Sequence, residues 1–226
     1  MRLVALLLVL LLGLARAGDA ATLEFWGFSR DGKYLAFEQY GVQDGSGFPY
    51  AQLYVVDVGR NALVSTAEVT VQTGNAGVET ARERALTQSR PALSPYAIVP
   101  GNQGRFASIA AKNLLPNVVE PQAVEFTALG RRYTLELRSL DAPGAGGSCL
   151  TEPPKRLELK LISSAGGRVL QRDNNLPASR RCVRDYEIHG VFVLGRSLAA
   201  FVKVTRDGFE GPDLRWMVVT ARLGLR

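Results

Sequence analysis

Val124-Glu125-Phe126-Thr127-Ala128-Leu129-Gly130-Arg131-Arg132-Tyr133-Thr134-Leu135-Glu136-Leu137-Arg138 decides the class of fold. Val124 and Phe126 alternate with Glu125 and Thr127; beyond Leu129-Gly130, Tyr133, Leu135 and Leu137 alternate with Thr134, Glu136 and Arg138. A period of two places one set on the buried face of a half-buried strand, and the glycine between the runs predicts an antiparallel hairpin. Working outward, Leu157, Leu159 and Leu161 alternate with Glu158 and Lys160, and Ala67, Val69 and Val71 with Glu68, Thr70 and Gln72. Tyr34 to Tyr40, Leu53 to Val58, Val191 to Leu194 and Leu198 to Val204 are denser apolar runs, which suits central strands. The expected fold is mainly β: antiparallel sheets forming a sandwich or an open barrel.

One segment departs from this period. Val78, Ala81, Ala85 and Leu86 recur at helical spacing, with Asn75 available as a cap and Pro91 as a stop. A single surface helix is expected near 77–89, its narrow alanine-rich stripe laid on the sheet.

Met1-Arg2 followed by Leu3 to Leu14, broken only by Gly13, has the charged start and short apolar core of an export signal, and Ala15-Arg16-Ala17 supplies a small-x-small cleavage site. A membrane-spanning helix needs about 20 apolar residues, and Arg16 stops this run short of that. The reading is a signal peptide over 1–17, a single β-rich domain over 18–226, no stable membrane span after cleavage, and a periplasmic or extracellular destination. The stretch from Ala142 to Pro154 is read as a long loop rather than a linker, because strand patterns lie directly on both sides.

The chain carries 27 Lys+Arg against 21 Asp+Glu. Losing Arg2 and Arg16 leaves 25 against 21, too mild an excess to require a polyanion. Arg131-Arg132, Lys155-Arg156 and Arg180-Arg181 sit beside apolar strands without interleaved aromatics, so no nucleic-acid partner is expected and the pairs read as solvated strand ends. Cys149 and Cys182, two cysteines in an exported chain, read as a disulfide; two buried thiols or a redox pair are the alternatives, although C-x-x-C spacing is absent.

The two ends of the domain resemble each other. Gly32-Lys33-Tyr34-Leu35-Ala36 leads, thirteen residues after Gly32, to Asp44-Gly45, then Phe48-Pro49 and a strand; Gly195-Arg196-Ser197-Leu198-Ala199 leads at the same offset to Asp207-Gly208, then Phe209, Pro212 and a strand. F-S-R-D-G-K-Y-L-A-F, Phe28 to Phe37, resembles the strand-opening motif of β-propeller blades, so the hairpins at both ends look blade-like, but a propeller repeats that motif several times. Phe28 to Ala51, Ser179-Arg180-Arg181-Cys182 before Tyr186, and Gly208 to Asp213 together resemble the domain-of-unknown-function 2259 family of predicted secreted bacterial proteins. The resemblance implies export, places Cys182 at the family's second cysteine, and brings no assigned activity or catalytic residue.

The chemistry is bounded mainly by what is missing. One histidine and two cysteines cannot furnish a zinc site, and any Ser-His or Cys-His catalysis would have to pass through His189, which has no G-x-S-x-G elbow beside it and reads as a strand histidine. Gly144-Ala145-Gly146-Gly147 lacks the spacing of a phosphate-binding loop. No catalytic residue, metal or cofactor is assigned. Glu38 and Asp44 in the first hairpin and Asp207, Glu210 and Asp213 in the last would converge if the hairpins pair, the arrangement a carboxylate-dependent hydrolase or a Ca²⁺ site would need. The other reading is a non-catalytic module that binds a protein or envelope component through paired loops, Gly41 to Tyr50 carrying Asp44, Phe48 and Tyr50, and Arg206 to Asp213 carrying Asp207, Phe209, Glu210 and Asp213. The phenylalanines of those loops either plug the end of the core or meet the partner, and plugging is the expectation.

Overall fold

Leu129 and Gly130 both adopt positive φ, 53° and 69°, and so form the two-residue turn whose twist suits a hairpin between β6 (Gln122–Ala128) and β7 (Arg131–Asp141). The structure, a computed structural model, describes residues 18–72, 76–108, 122–143, 149–150 and 153–224. The expected signal segment, Asn75 and the Gly144–Gly147 run lie outside the described residues.

Among the described residues, three four-stranded antiparallel sheets account for the fold. Sheet 1 is the meander β1 (Thr22–Phe28), β2 (Tyr34–Val42), β3 (Pro49–Asp57) and β4 (Ala62–Thr70). Sheet 2 runs β12 (Pro212–Arg222), β11 (Ser197–Asp207), β10 (Val183–Leu194) and β5 (Arg105–Ser108). Sheet 3 is the meander β6, β7, β8 (Lys155–Ser163) and β9 (Gly166–Arg172).

Sheet 2 lies between the other two, which explains its dense strands. Along β11, Leu198, Ala200, Val202 and Val204 face the leucines of sheet 3, while Ala199 and Phe201 face Phe25, Phe28, Leu35 and Phe37 of sheet 1. A strand covered on both sides has no polar face, so Leu198 to Val202 is continuously apolar, whereas β6 and β7 keep the strict alternation of strands with one wet face. Among the described residues the arrangement is a layered sandwich with no closed barrel, and the blade-like hairpins belong to two different sheets rather than to a propeller. As expected from their density, β2, β3, β10 and β11 are interior strands.

Helix α1 (Val78–Leu93) lies on the outer face of sheet 1, burying Ala81 and Ala85 against Ala51, Val69 and Val71. It runs past the expected stop: Pro91 sits inside its last turn, where a proline removes its own N–H bond without preventing the following residues from staying helical. The end comes at the 3₁₀ turn Ser94–Tyr96 and the left-handed Ala97, and the N-cap is Gly77, which makes no side-chain cap bond. Arg82 projects from the helix to Glu24, Glu79 and Glu38, the last 2.9 Å away with its side chain 3% exposed. Glu158, expected on a wet face, is instead buried, because Arg172 and Lys160 close over it.

Polar clips join the layers. Asn61, in the β3–β4 turn, accepts from the Thr220 N–H (2.8 Å) on β12 and donates to Gln171 Oε1 (2.8 Å) on β9, tying all three sheets. Ser197 Oγ donates to the Gly32 carbonyl at 2.7 Å, joining the openings of β11 and β2. The loop between β7 and β8 is closed at its base by Ala142 N–H donating to Pro154 O (2.8 Å), and the Cys149–Cys182 disulfide, Cα atoms 5.1 Å apart, fastens it to the start of β10.

Candidate functional site: an amide-lined cleft beneath two paired loops

The equivalent hairpins bring their loops together. The Glu210 N–H donates to Asp44 Oδ2 (2.7 Å), and the Phe209 ring covers Gly45, whose φ of +76° and lack of a side chain leave room for it. Phe209 is nevertheless 85% exposed, so the expected plug is not formed there; Phe48 is half-buried, and Tyr50, fully buried, closes this end of sheet 1.

Behind the loops runs a charged chain. Tyr50 OH donates to Asp19 Oδ1 (2.8 Å), Asp19 Oδ2 pairs with Arg215 (2.5 Å), and Asp213 accepts from the Asp19 N–H (3.2 Å) and pairs with Arg206 (3.1 Å). Burial, with the nearby Asp19 and Asp213 charges, raises the Tyr50 phenol well above its usual value despite the opposing pull of Arg215, so it remains a proton donor. Asp207 is held elsewhere, by Arg184 (2.5 Å) and the Leu150 N–H (2.7 Å). Glu38 lies on the opposite face of sheet 1 with Arg82. Of the carboxylates expected to converge, Glu38, Asp207 and Asp213 are therefore divided among separate ion pairs, while Asp44 is engaged by the Glu210 backbone.

Below the loops, the space between sheet 1 and the edge strand β12 widens into a cleft of about 600 Å³. Its floor is a row of register partners across β2, β3 and β4, namely Gln39, Gln52 and Glu68. Gln39 Nε2 donates to Gln52 Oε1 (2.8 Å) and to Tyr54 OH (3.1 Å), Tyr54 OH donates to Gln52 Oε1 (3.0 Å), and Gln52 Nε2 donates to Glu68 Oε1 (2.7 Å). Tyr54 is stacked on Phe37, centroids 4.9 Å apart. The facing wall comprises Arg215, Trp216 and Val218 of β12, with Arg206 and Gln43 at the loop end and Arg180, Gln171 and Asn61 at the other. Arg180 is thus no solvated strand end: it pairs with buried Asp173 (2.8 Å) at the cleft wall.

The edge of β12 is itself largely capped. The Leu214 N–H donates to Asp19 O (2.8 Å), the Trp216 N–H to Gln39 Oε1 (2.8 Å) and the Thr220 N–H to Asn61 Oδ1 (2.8 Å). Strand parity turns the N–H and C=O of Val218 the same way, and no partner meets them among the described residues.

None of these inward amides was singled out from sequence. The available signal was a glutamine at an inward position of a dense strand, Gln39 within Tyr34 to Tyr40, since buried polar side chains in central strands are uncommon and call for partners.

His189 is exposed beside the Gly190 bulge of β10, its ring 4.6 Å from Trp216. Partial burial against that ring, together with Lys203, outweighs Glu187 and lowers its pKa, and no serine or cysteine hydrogen-bonds to it among the described residues. Cys149, Cys182 and Asp207 form the one cluster of metal-ligand types among the described residues; its sulfurs are bonded to each other and are not thiolate ligands.

A family model described as predicted secreted protein (DUF2259) matches residues 36–222. A search of curated proteins and a search of solved structures returned no match. The matched span takes in both cysteines, both loops and nearly all of β2, β3 and β12, which together build the cleft. The chain belongs to the DUF2259 family of predicted secreted proteins.

Proposed function

We propose that this exported protein is a non-catalytic binding module, delivered to the periplasm or the medium by cleavage after its first seventeen residues, with the cleft and its two rim loops as the recognition surface. The observation that carries this reading is the cleft wall itself: side chains already locked into position by one another around an open space of ligand size, about 600 Å³. Pre-positioned donors lower the ordering cost of binding. Glu68 is the only carboxylate among the described lining residues, whereas hydrolysis by carboxylates needs two flanking the reacting bond. Asp31 and Glu158, neither of which lines the cleft, are both held below the usual carboxylate range, the reverse of what a general acid needs.

The test is thermal melting of the mature, disulfide-bonded protein with fractionated glycans, peptides and lipids from the exported compartment. A ligand at a hundred times its Kd adds about 2.7 kcal/mol, which raises the melting temperature of a chain this size by roughly 5 to 10 °C. Mass spectrometry should recover that ligand unchanged after prolonged incubation. Recovery of a cleaved product in amounts exceeding the protein would instead establish the hydrolase.

A further inference from the structure

We infer that the cleft takes a neutral, hydroxyl-rich ligand, a short stretch of oligosaccharide, held between the Gln39–Gln52–Glu68 row and the open edge of β12 at Val218; this rests on the binding-module reading above. Three observations select that chemistry.

The first is charge. The arginines of the wall are already neutralised, Arg180 by Asp173 (2.8 Å), Arg206 by Asp213 (3.1 Å) and Arg215 by Asp19 (2.5 Å). Glu68, exposed at the mouth, is held by Gln52. An anionic ligand entering here would be desolvated without an unpaired cation to receive it, and would meet the Glu68 carboxylate, which has no cationic partner among the described residues. A neutral ligand avoids that cost.

The second is the pattern of unused hydrogen bonds. Gln39 is saturated: both amide hydrogens and the carbonyl are engaged. Gln52 and Gln43 retain donors, and Val218 offers both a donor and an acceptor. A donor and an acceptor on one residue, with amide donors spaced along the same cleft, suit hydroxyl groups, each of which is both. They do not suit an added peptide strand, which needs successive free N–H and C=O groups along an edge. Here the N–H groups of Leu214, Trp216 and Thr220 on either side of Val218 already donate within the protein, so successive free N–H groups are lacking along this edge.

The third is the apolar component. Tyr54 and Trp216 are half-buried, so each keeps part of a ring on the cleft, Tyr54 immobilised by its stack on Phe37 and Trp216 by Nε1 donating to the Ala21 carbonyl (2.7 Å). Rigid aromatic faces beside planar amides offer the C–H face of a sugar ring an apolar surface and its hydroxyls a polar one.

The experiment is calorimetric titration of the mature protein with cellohexaose, maltohexaose and chitohexaose, beside a sulfated heparin hexasaccharide and an unstructured decapeptide. At least one neutral hexasaccharide is expected to bind with a Kd between about 10 µM and 1 mM, little changed between roughly 0.05 and 0.5 M salt. Gln52→Ala, and separately Gln43→Ala at the half-exposed rim where folding is not at risk, should each weaken it at least about tenfold with the melting temperature of the free protein nearly unchanged for the rim variant. Binding of the sulfated sugar or the peptide, lost in the same variants, would overturn the ligand class and leave the binding module standing. Neutral-sugar binding that both variants retain would overturn the site, and no binding by any probe would overturn both readings.

Discussion

Leu129 carries a side chain at φ 53°, in a turn that asparagine or glycine fills with less strain, and its own side chain is half exposed. Replacing it with asparagine should therefore raise stability, by about 0.5 to 1 kcal/mol, read as a shift in urea midpoint without a change in slope. Glu158 makes the opposite point. Burial pushes its carboxyl pKa up, but hydrogen bonds and charge from Arg172 and Lys160 outweigh burial and hold it below the ordinary value. A depressed folded pKa means that the stabilisation is fully present above the unfolded value, about 4.3, and is lost as pH falls through the folded one. Glu158→Gln should cost about 1.5 to 3 kcal/mol at neutral pH, as expected for hydrogen bonds to charged groups. Denaturation curves of the two proteins should converge as pH falls through that depressed folded value; a gap that persisted would show that the charge is not the source. Neither feature is legible in the chain: alternation assigned Glu158 to a wet face, and only the fold brings Arg172 over it from β9.

The helix shows what an element's docking adds to its pattern. Its spacing of small residues was enough to place it on a sheet, and Ala81 and Ala85 do lie there. Its stabilisation rests as much on one polar contact. Arg82, stacked 4.1 Å from the Tyr40 ring centroid, reaches across the outer face of sheet 1 to the buried Glu38 carboxylate. Arg82→Ala leaves that carboxylate buried and unpaired, and should destabilise the protein by about 3 to 5 kcal/mol. The double substitution Arg82→Ala with Glu38→Leu should recover most of the loss in the same unfolding assay, because no buried charge then remains. An equal loss in the double variant would mean that packing of the guanidinium, rather than charge, holds the helix down. Sequence spacing could not connect Glu38 to Arg82: the two are 44 residues apart on different elements.

At the scale of the whole molecule, the disulfide and the exposed loop tip give opposite expectations. The bridge spans 33 residues and fastens the β7–β8 loop beside the ends of β10 and β11. Replacing both cysteines with serine should lower stability by about 3 to 4 kcal/mol on the chain-entropy account, measured by denaturant titration of the non-reduced protein. Phe209→Ser should leave the melting temperature unchanged, since a ring 85% exposed contributes almost no burial; a large drop would restore the plugging role that the sequence suggested. By itself the sequence determined the mainly β class, the surface helix near 77–89, the export family and the cysteine pair, because strand period, apolar stripe, landmark residues and cysteine number are all local or countable. The order in which the three sheets stack, and hence the cleft, was decided only by tertiary structure. Strand parity says which side chains share a face but not which sheet covers it, so Gln39, Gln52, Trp216 and Val218 become one site only when the edge of β12 is laid beside sheet 1.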